Sequence, residues 1–242
     1  MSDHRTIALV TGANQGIGLE IARQLGQRGI TVLIGARDRT RGLDAERQLR
    51  ADGITAHCVV LDVTSQPSLD QAAEYISASF GVLDILVNNA GIYLEEKPPS
   101  SNDEATFKTI YNTNVLGVLR TTKTMLPLIR SSDQGRIVNL SSSLGSLTLN
   151  SDPEFEFAPF LMLGYNSSKT AVNAMTVFFA NELRGTSIKV NAADPGYCAT
   201  ALNGFTGSKS PRDGARVAVR LALLPADGPT GGFFNENGSV PW

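Results

Sequence analysis

The sequence predicts an α/β protein built as one doubly wound domain, a parallel sheet of about seven strands with helices on both faces. Three observations predict it. Short apolar runs alternate along the 242 residues with longer stretches of helical periodicity, and such alternation closes into a parallel sheet through right-handed crossovers. The runs are β-rich or continuously apolar, as strands buried on both faces are. The first of them leads through Thr11-Gly12-Ala13-Asn14-Gln15-Gly16-Ile17-Gly18 directly into a helical stretch.

Strands are expected at 7–10, 31–35, 56–61, 85–88, 136–140, 188–192 and 232–234, and helices at about 16–28, 40–51, 67–79, 103–130, 165–184 and 211–223. Ser65-Gln66-Pro67 offers a cap with proline in the first helical turn, and Ser210-Pro211 does the same. No internal repeat or low-complexity linker interrupts the pattern, so residues 1–242 read as a single domain.

Composition narrows the function. Lys+Arg 21 against Asp+Glu 23 gives a net charge of −2 with no basic block, which argues against nucleic acid or an anionic membrane as partner. Cys58 and Cys198 lie far apart without a C-x-x-C pairing, a usage that fits free thiols in a reducing compartment and no metal site. Met1-Ser2-Asp3-His4-Arg5 shows no leader, and no segment has 18 consecutive apolar residues. A cytoplasmic protein is expected.

Ligands of such sheets bind beyond the carboxyl ends of the strands. The glycine turn comes first: glycine lets the backbone approach a pyrophosphate, while free N–H groups and the helix dipole favour its charge. After the second strand, Arg37 suits a 2′-phosphate, whereas Asp38 either binds a ribose hydroxyl or caps the next helix. Asp62 either accepts from an adenine amino group or serves as a turn residue. Asn88-Asn89-Ala90-Gly91 lets the backbone approach the adenosine side, and its amides can also tie strands together. Tyr165 and Lys169 share one helical face, where the ammonium is expected to lower the phenol pKa and make it a usable acid or base. Ser142, past the fifth strand, could hydrogen-bond a substrate oxygen.

In this order, Thr11-Gly12-x-x-x-Gly16-x-Gly18, Asn88-Asn89-Ala90-Gly91, Asn114, Ser142, Tyr165-x-x-x-Lys169 and Pro195-Gly196-x-x-x-Thr200 resemble the short-chain dehydrogenase/reductase family. The likeness runs through nearly the whole chain and is strongest to its NADPH-dependent carbonyl reductase branch. It implies a Rossmann domain that reduces a ketone, aldehyde or quinone with NADPH, in preference to NAD. The implied catalytic tetrad is Asn114, Ser142, Tyr165 and Lys169. Tyr165 would donate the proton, Ser142 would polarise the carbonyl oxygen, Lys169 would bind the nicotinamide ribose, and Asn114 would hold a water. Ser142 is chosen over Ser141 and Ser143 because the family's serine lies three residues before the glycine matched by Gly145. Cofactor contacts are implied for Gly12, Asn14, Gln15, Gly16, Ile17 and Gly18 in the turn, and for Arg37, Asp62, Val63, Asn89, Ala90 and Gly91 after the next three strands. Tyr165, Lys169, Pro195, Gly196 and Thr200 complete the set.

Two departures from the family pattern stand out. Gln15 occupies a position that is often basic in NADPH-using relatives, so the cofactor preference rests on Arg37. Ser142 and Tyr165 stand 23 positions apart, against about a dozen in the family, so residues 147–163 hold an insertion. Its Phe155, Phe157, Phe160, Leu161 and Met162 either line the substrate cleft or pack the loop down, and Pro153 and Pro159 predict a loop there. Residues 197–210, with Leu202 and Phe205 beside Gly204 and Gly207, read as a substrate lid. Together with Tyr93 they suggest a bulky, mainly apolar carbonyl substrate. Monomer and homo-oligomer both remain open. Two other functions are compatible with the motifs: NAD-dependent oxidation of a secondary alcohol, and a non-catalytic sensor of NADP.

Overall fold

The computed structural model describes residues 5–242; Met1–His4, where the leader-free reading begins, lie outside the described residues. The first half of the chain runs β1 (Ile7–Thr11), α1 (Gly16–Gly26), β2 (Thr31–Ala36), α2 (Arg39–Ala51), β3 (Ala56–Val60), α3 (Gln66–Phe80) and β4 (Ile85–Asn88). The second runs α4 (Glu104–Tyr111), α5 (Gly117–Arg130), β5 (Arg136–Leu140), α6 (Leu147–Asn150), α7 (Leu163–Glu182), β6 (Lys189–Ala193), α8 (Pro211–Ala222), β7 (Phe233–Asn235) and β8 (Gly238–Ser239). The strands stand in the order β3-β2-β1-β4-β5-β6-β7-β8. Strands β1 to β7 pair in parallel and β8 returns antiparallel to β7. That last two-residue strand escaped the sequence reading because periodicity needs a longer run.

Side chains alternate across each strand and so feed two cores. Ala8 and Val10 face one layer with Ile21 and Leu25 of α1, Leu49 of α2 and Ala218 of α8. Ile7 and Leu9 face the other with Leu69 and Ile76 of α3, Met125 and Ile129 of α5 and Ala180 of α7. Each fully buried leucine or isoleucine contributes about 1.5–3 kcal/mol. The order reverses between β1 and β4, and the crevice beyond their carboxyl ends is where a parallel sheet of this kind receives ligands.

Two expectations need correction. The helix expected over 103–130 is broken by a π-helical turn, Asn112–Leu116, between α4 and α5; such turns cluster at functional sites. The insertion is not loop throughout. Ser146 accepts from Leu149 N at 3.1 Å and caps α6, after which 151–159 runs mostly as turns that include Pro153 and Pro159. Otherwise the bounds of the expected strands and helices hold to within two residues.

Candidate active site

Loops at the carboxyl ends of β1 to β6 line one cleft of about 880 Å³, at the upper end of the usual range for ligand sites. Its floor at one end is the glycine turn. Gly12 and Gly16 have φ of +64° and +60°, which residues with a Cβ rarely adopt. A Cβ on Gly18 would stand 2.4 Å from Asn89 Nδ2. That amide donates to Thr11 O at 2.8 Å and Gly12 O at 3.2 Å, while Thr11 Oγ1 accepts from Asn89 N and Ala90 N. The β4 loop is thereby locked to the turn. Helix α1 begins at Gln15 with no side-chain cap and no acidic residue in its first turn, so its leading amides are left to a ligand or to water. Asn14, Gln15, Gly16, Ile17 and Gly18 all line the cleft. These residues fit a dinucleotide's pyrophosphate.

The adenosine end divides its polar residues. Arg37 is exposed and lines the cleft. Asp38 accepts from Arg41 N at 3.0 Å and caps α2. Of the two roles left open for Asp38, the cap is the one formed. Asp62 Oδ1 accepts from Thr64 N and Thr64 Oγ1, which makes Asp62 a turn residue that also lines the cleft beside Val63. Asn88 is used structurally, donating to Thr122 Oγ1 and Asn139 Oδ1.

At the other end, three consecutive serines follow β5. Ser141 is buried and donates to Asn173 Oδ1 at 2.6 Å. Ser143 is bonded through both backbone and side chain to the buried Asp194. Ser142, half-buried on the cleft, accepts from Leu144 N at 3.2 Å. Gly145 lets this turn lie on α7, since a Cβ there would stand 2.7 Å from Lys169 Cβ. Helix α7 brings Tyr165 and Lys169 to the cleft, with Lys169 Nζ 5.7 Å from the Tyr165 ring centroid. The ammonium donates to Leu140 O at 2.9 Å.

Asn114 alone of the expected tetrad does not line the cleft. It is buried in the π turn, where its Oδ1 accepts from Ile92 N at 2.8 Å and its Nδ2 donates to Ile92 O at 2.9 Å and Ser168 Oγ at 3.1 Å. A Cβ on Gly91 would lie 3.4 Å from Asn114 Oδ1 and 3.7 Å from Lys169 Nζ, so the bare glycine opens a space onto both. The expected lowering of the tyrosine pKa is reversed: burial pushes the Tyr165 phenol well above its usual range, and the Asp194 carboxylate adds to the rise. Burial also pulls Lys169 down to about 8, against an opposing pull from Asp194. Desolvation of the charged form is the largest effect on both groups.

Over this end lie the insertion and the 197–210 segment. Phe157, Phe160 and Met162 line the cleft, whereas Phe155 packs edge-on against Phe157 at 5.5 Å. Phe157 also meets Tyr197 at 6.2 Å, joining the two segments. Tyr197 to Thr206 all line the cleft, and a parallel bridge pairs Cys198 with Lys209 at the base of the segment. Pro195, Gly196 and Thr200 line it as well, and Thr200 Cγ2 would lie 3.6 Å from a Cβ on Gly16. Cys58 and Cys198 are free thiols. Asp194 was missed from sequence; its only signal was a carboxylate between an apolar strand and Pro195-Gly196. Among the described residues no helix is long and apolar enough to cross a membrane.

Residues 6–210 match the family described as short chain dehydrogenase. The chain is 34% identical to short-chain dehydrogenase/reductase 1 of Saponaria officinalis, covering 97% of this chain and 95% of that protein. It is 33% identical to carbonyl reductase (NADPH) 1 of Rattus norvegicus, with 100% of both chains covered. The structure of salutaridine reductase from Papaver somniferum superposes with a TM-score of 0.81 at 30% identity, covering 96% of this chain and 100% of that one.

Proposed function

The chain belongs to the short-chain dehydrogenase family, and from that premise we propose that it reduces the carbonyl group of a bulky, mainly apolar ketone, aldehyde or quinone with NADPH. The observation that carries the reading is the meeting of Ser142, Tyr165 and Lys169 in one cleft whose far end is the glycine turn and the uncapped start of α1. When bound, NADPH supplies the hydride. The turn amides and α1 would hold its pyrophosphate, Arg37 its 2′-phosphate and Lys169 its nicotinamide ribose. The rat relative's name includes NADPH, and the engagement of Asp38 as a helix cap supports the same choice.

Tyr165 Oη gives its proton to the carbonyl oxygen while Ser142 donates a hydrogen bond to that oxygen, a preorganised pair for a developing alkoxide. A raised phenol pKa keeps this proton in place at neutral pH. Gly91 leaves room for a water between Asn114 Oδ1 and Lys169 Nζ, a route for returning the proton. Ile92, Tyr93, Leu144, Phe157, Phe160, Met162, Leu202 and Phe205 wall the substrate end, and none of them carries charge. Residues 197–210 act as a lid over it.

A spectrophotometric panel of ketones, aldehydes and quinones, run with NADPH and NADH side by side, tests the reading. Turnover is expected with NADPH and with bulky apolar compounds. Equal or better turnover with NADH would overturn the cofactor assignment, and preference for charged substrates would overturn the substrate class.

A further inference from the structure

Helix α7 carries Tyr165 in its first turn, yet its own sequence leaves that end bare. Met162 precedes it with no side-chain cap, and no acidic residue lies in the first turn. The first amides of a helix have no partner within it. Here the partner comes from the loop after β4. One oxygen of the Glu96 carboxylate accepts from Gly164 N at 2.5 Å, and the other accepts from the backbone N–H of Tyr165 itself at 2.8 Å. Asn102 Nδ2 donates to the same carboxylate at 2.7 Å. A Cβ on Gly164 would stand 2.7 Å from Glu96 Oε2, so the glycine gives the carboxylate room to approach the helix this closely.

The segment that delivers Glu96 is itself tied to the site. Its start, Ile92, is held through both backbone groups by Asn114. Tyr93 then packs edge-on against the Tyr165 ring at 5.9 Å. Residues 92–96 therefore form a strap anchored at Asn114, touching the Tyr165 ring, and fastened to the Tyr165 backbone. A negative group at this end also complements the helix dipole.

We propose that Glu96 is a positioning residue that fixes the first turn of α7 and so the placement of the Tyr165 phenol over the reacting carbonyl. This rests on the reading of Tyr165 as proton donor. Misplacing a reacting group by about 1 Å can cost roughly a hundredfold in rate. Glu96→Gln keeps the shape but turns one acceptor into a donor facing an N–H, and Glu96→Ala removes both acceptors.

The test pairs kinetics with amide exchange. On a good carbonyl substrate, kcat is expected to fall roughly tenfold in Glu96→Gln and up to about a hundredfold in Glu96→Ala, with the KM for NADPH unchanged. Exchange of the Gly164 and Tyr165 amides, followed by NMR, is expected to speed up about tenfold or more as the cap is lost. Ser132→Ala serves as the control, because it removes hydrogen bonds to Asp84 and Gln134 at the amino ends of the strands, away from the cleft, and lowers stability without touching the site. A kcat in Glu96→Ala equal to that of Ser132→Ala would overturn the proposal, as would unchanged exchange at Gly164 and Tyr165. Glu96→Gln carries the same comparison if the alanine variant does not fold. Tyr165→Phe in the same assay separates the two readings: if it stays active the proton-donor role fails, while the exchange rates still decide whether Glu96 holds the turn.

Discussion

Arg136 and Asp84 lie buried at the amino ends of β5 and β4, and Lys169 lies buried near the carboxyl end of β5, yet their hydrogen-bonding capacity is used differently. Arg136 donates to Leu224 O through Nε and Nη2, and through Nη1 to Gly135 O and Ser187 O. Asp84 accepts from Ile7 N at 2.8 Å and Ser132 Oγ at 2.6 Å. At the other end, Lys169 donates to Leu140 O alone among the described residues, and α1 begins without a side-chain cap. Burying polar groups is tolerable when they are paired. These amino-end groups are spent on holding loops and strands together, whereas the carboxyl end, beside its own structural bonds, leaves Lys169 and the first amides of α1 with unused donor capacity.

The comparison breaks most decisively at Tyr165. Tyr165→Phe keeps the ring and its packing, so the melting temperature is expected to stay within a degree or two, while kcat falls about 10²–10⁴-fold, the usual contribution of a general acid. Steady-state kinetics with chemistry shown to be rate-limiting decides this. Retention of half the activity would place the proton donor elsewhere.

Arg136→Met is the mirror experiment. It removes the donors to Leu224 O and Ser187 O, while Gly135 O keeps the Lys189 N–H, and denaturant unfolding is expected to show a loss of about 1–3 kcal/mol. The folded fraction is expected to keep its kcat. A selective loss of kcat would mean that the two ends are coupled.

Lys169 sharpens the contrast through pH. Its ammonium is disfavoured in the folded protein, where burial lowers its pKa to about 8 from 10.5. Below pH 8 the folded state bears this penalty in full. Between 8 and 10.5 the folded protein releases the proton while the unfolded chain keeps it, so the lysine's contribution to stability rises with pH. Lys169→Met is therefore expected to exceed the wild type in stability at pH 7 by up to about 3 kcal/mol, with the gap narrowing above pH 8. A pH-independent gap in chemical denaturation would contradict the burial account.

Legibility in the sequence follows the same division. Strand positions, layers and the glycine turn were readable because hydrophobic periodicity and turn chemistry are local. So was the shared helical face of Tyr165 and Lys169, four positions apart, whereas Ser142 was placed by its position after β5 and not by its distance from Tyr165. What was hidden depends on contacts between distant segments. Asp38 could bind or cap until α2 was seen to use it, and Asn114, in the π turn, clamps Ile92, 22 residues away. Glu96 stood in a charged loop with nothing local to mark it. The tyrosine pKa was misjudged because spacing reports the lysine's proximity and says nothing of how dry the site is.

At the adenosine end the ligand-facing side is tested by Arg37→Ala. A charge-assisted bond to a phosphate is worth about 1.5–3 kcal/mol, or roughly ten- to a hundredfold in KM for NADPH. The KM for NADH is expected to change little, and stability not at all, since Arg37 is exposed. An equal effect on both cofactors would give Arg37 a structural role like that of its neighbour Asp38.

The smallest effect is expected where the cleft meets solvent. Phe160 lines the cleft but is 52% exposed, so only part of its ring is available to cover a substrate. Full burial of a phenyl group contributes about 1.5–3 kcal/mol, and half of that is roughly a tenfold effect. Phe160→Ala is therefore expected to lower kcat/KM about tenfold for bulky aromatic ketones and hardly at all for small aldehydes. Phe157 is the internal control, because it packs against Phe155 and Tyr197 as well as facing the cleft. Its alanine variant is expected to lower the melting temperature too and to weaken every substrate somewhat, since both the insertion and the lid lose a support. A size-graded substrate series measured on the two variants separates these outcomes. A uniform loss in Phe160→Ala would show that this ring supports the scaffold, as Arg136 and Asp84 do at the amino end, and would move the substrate away from the insertion.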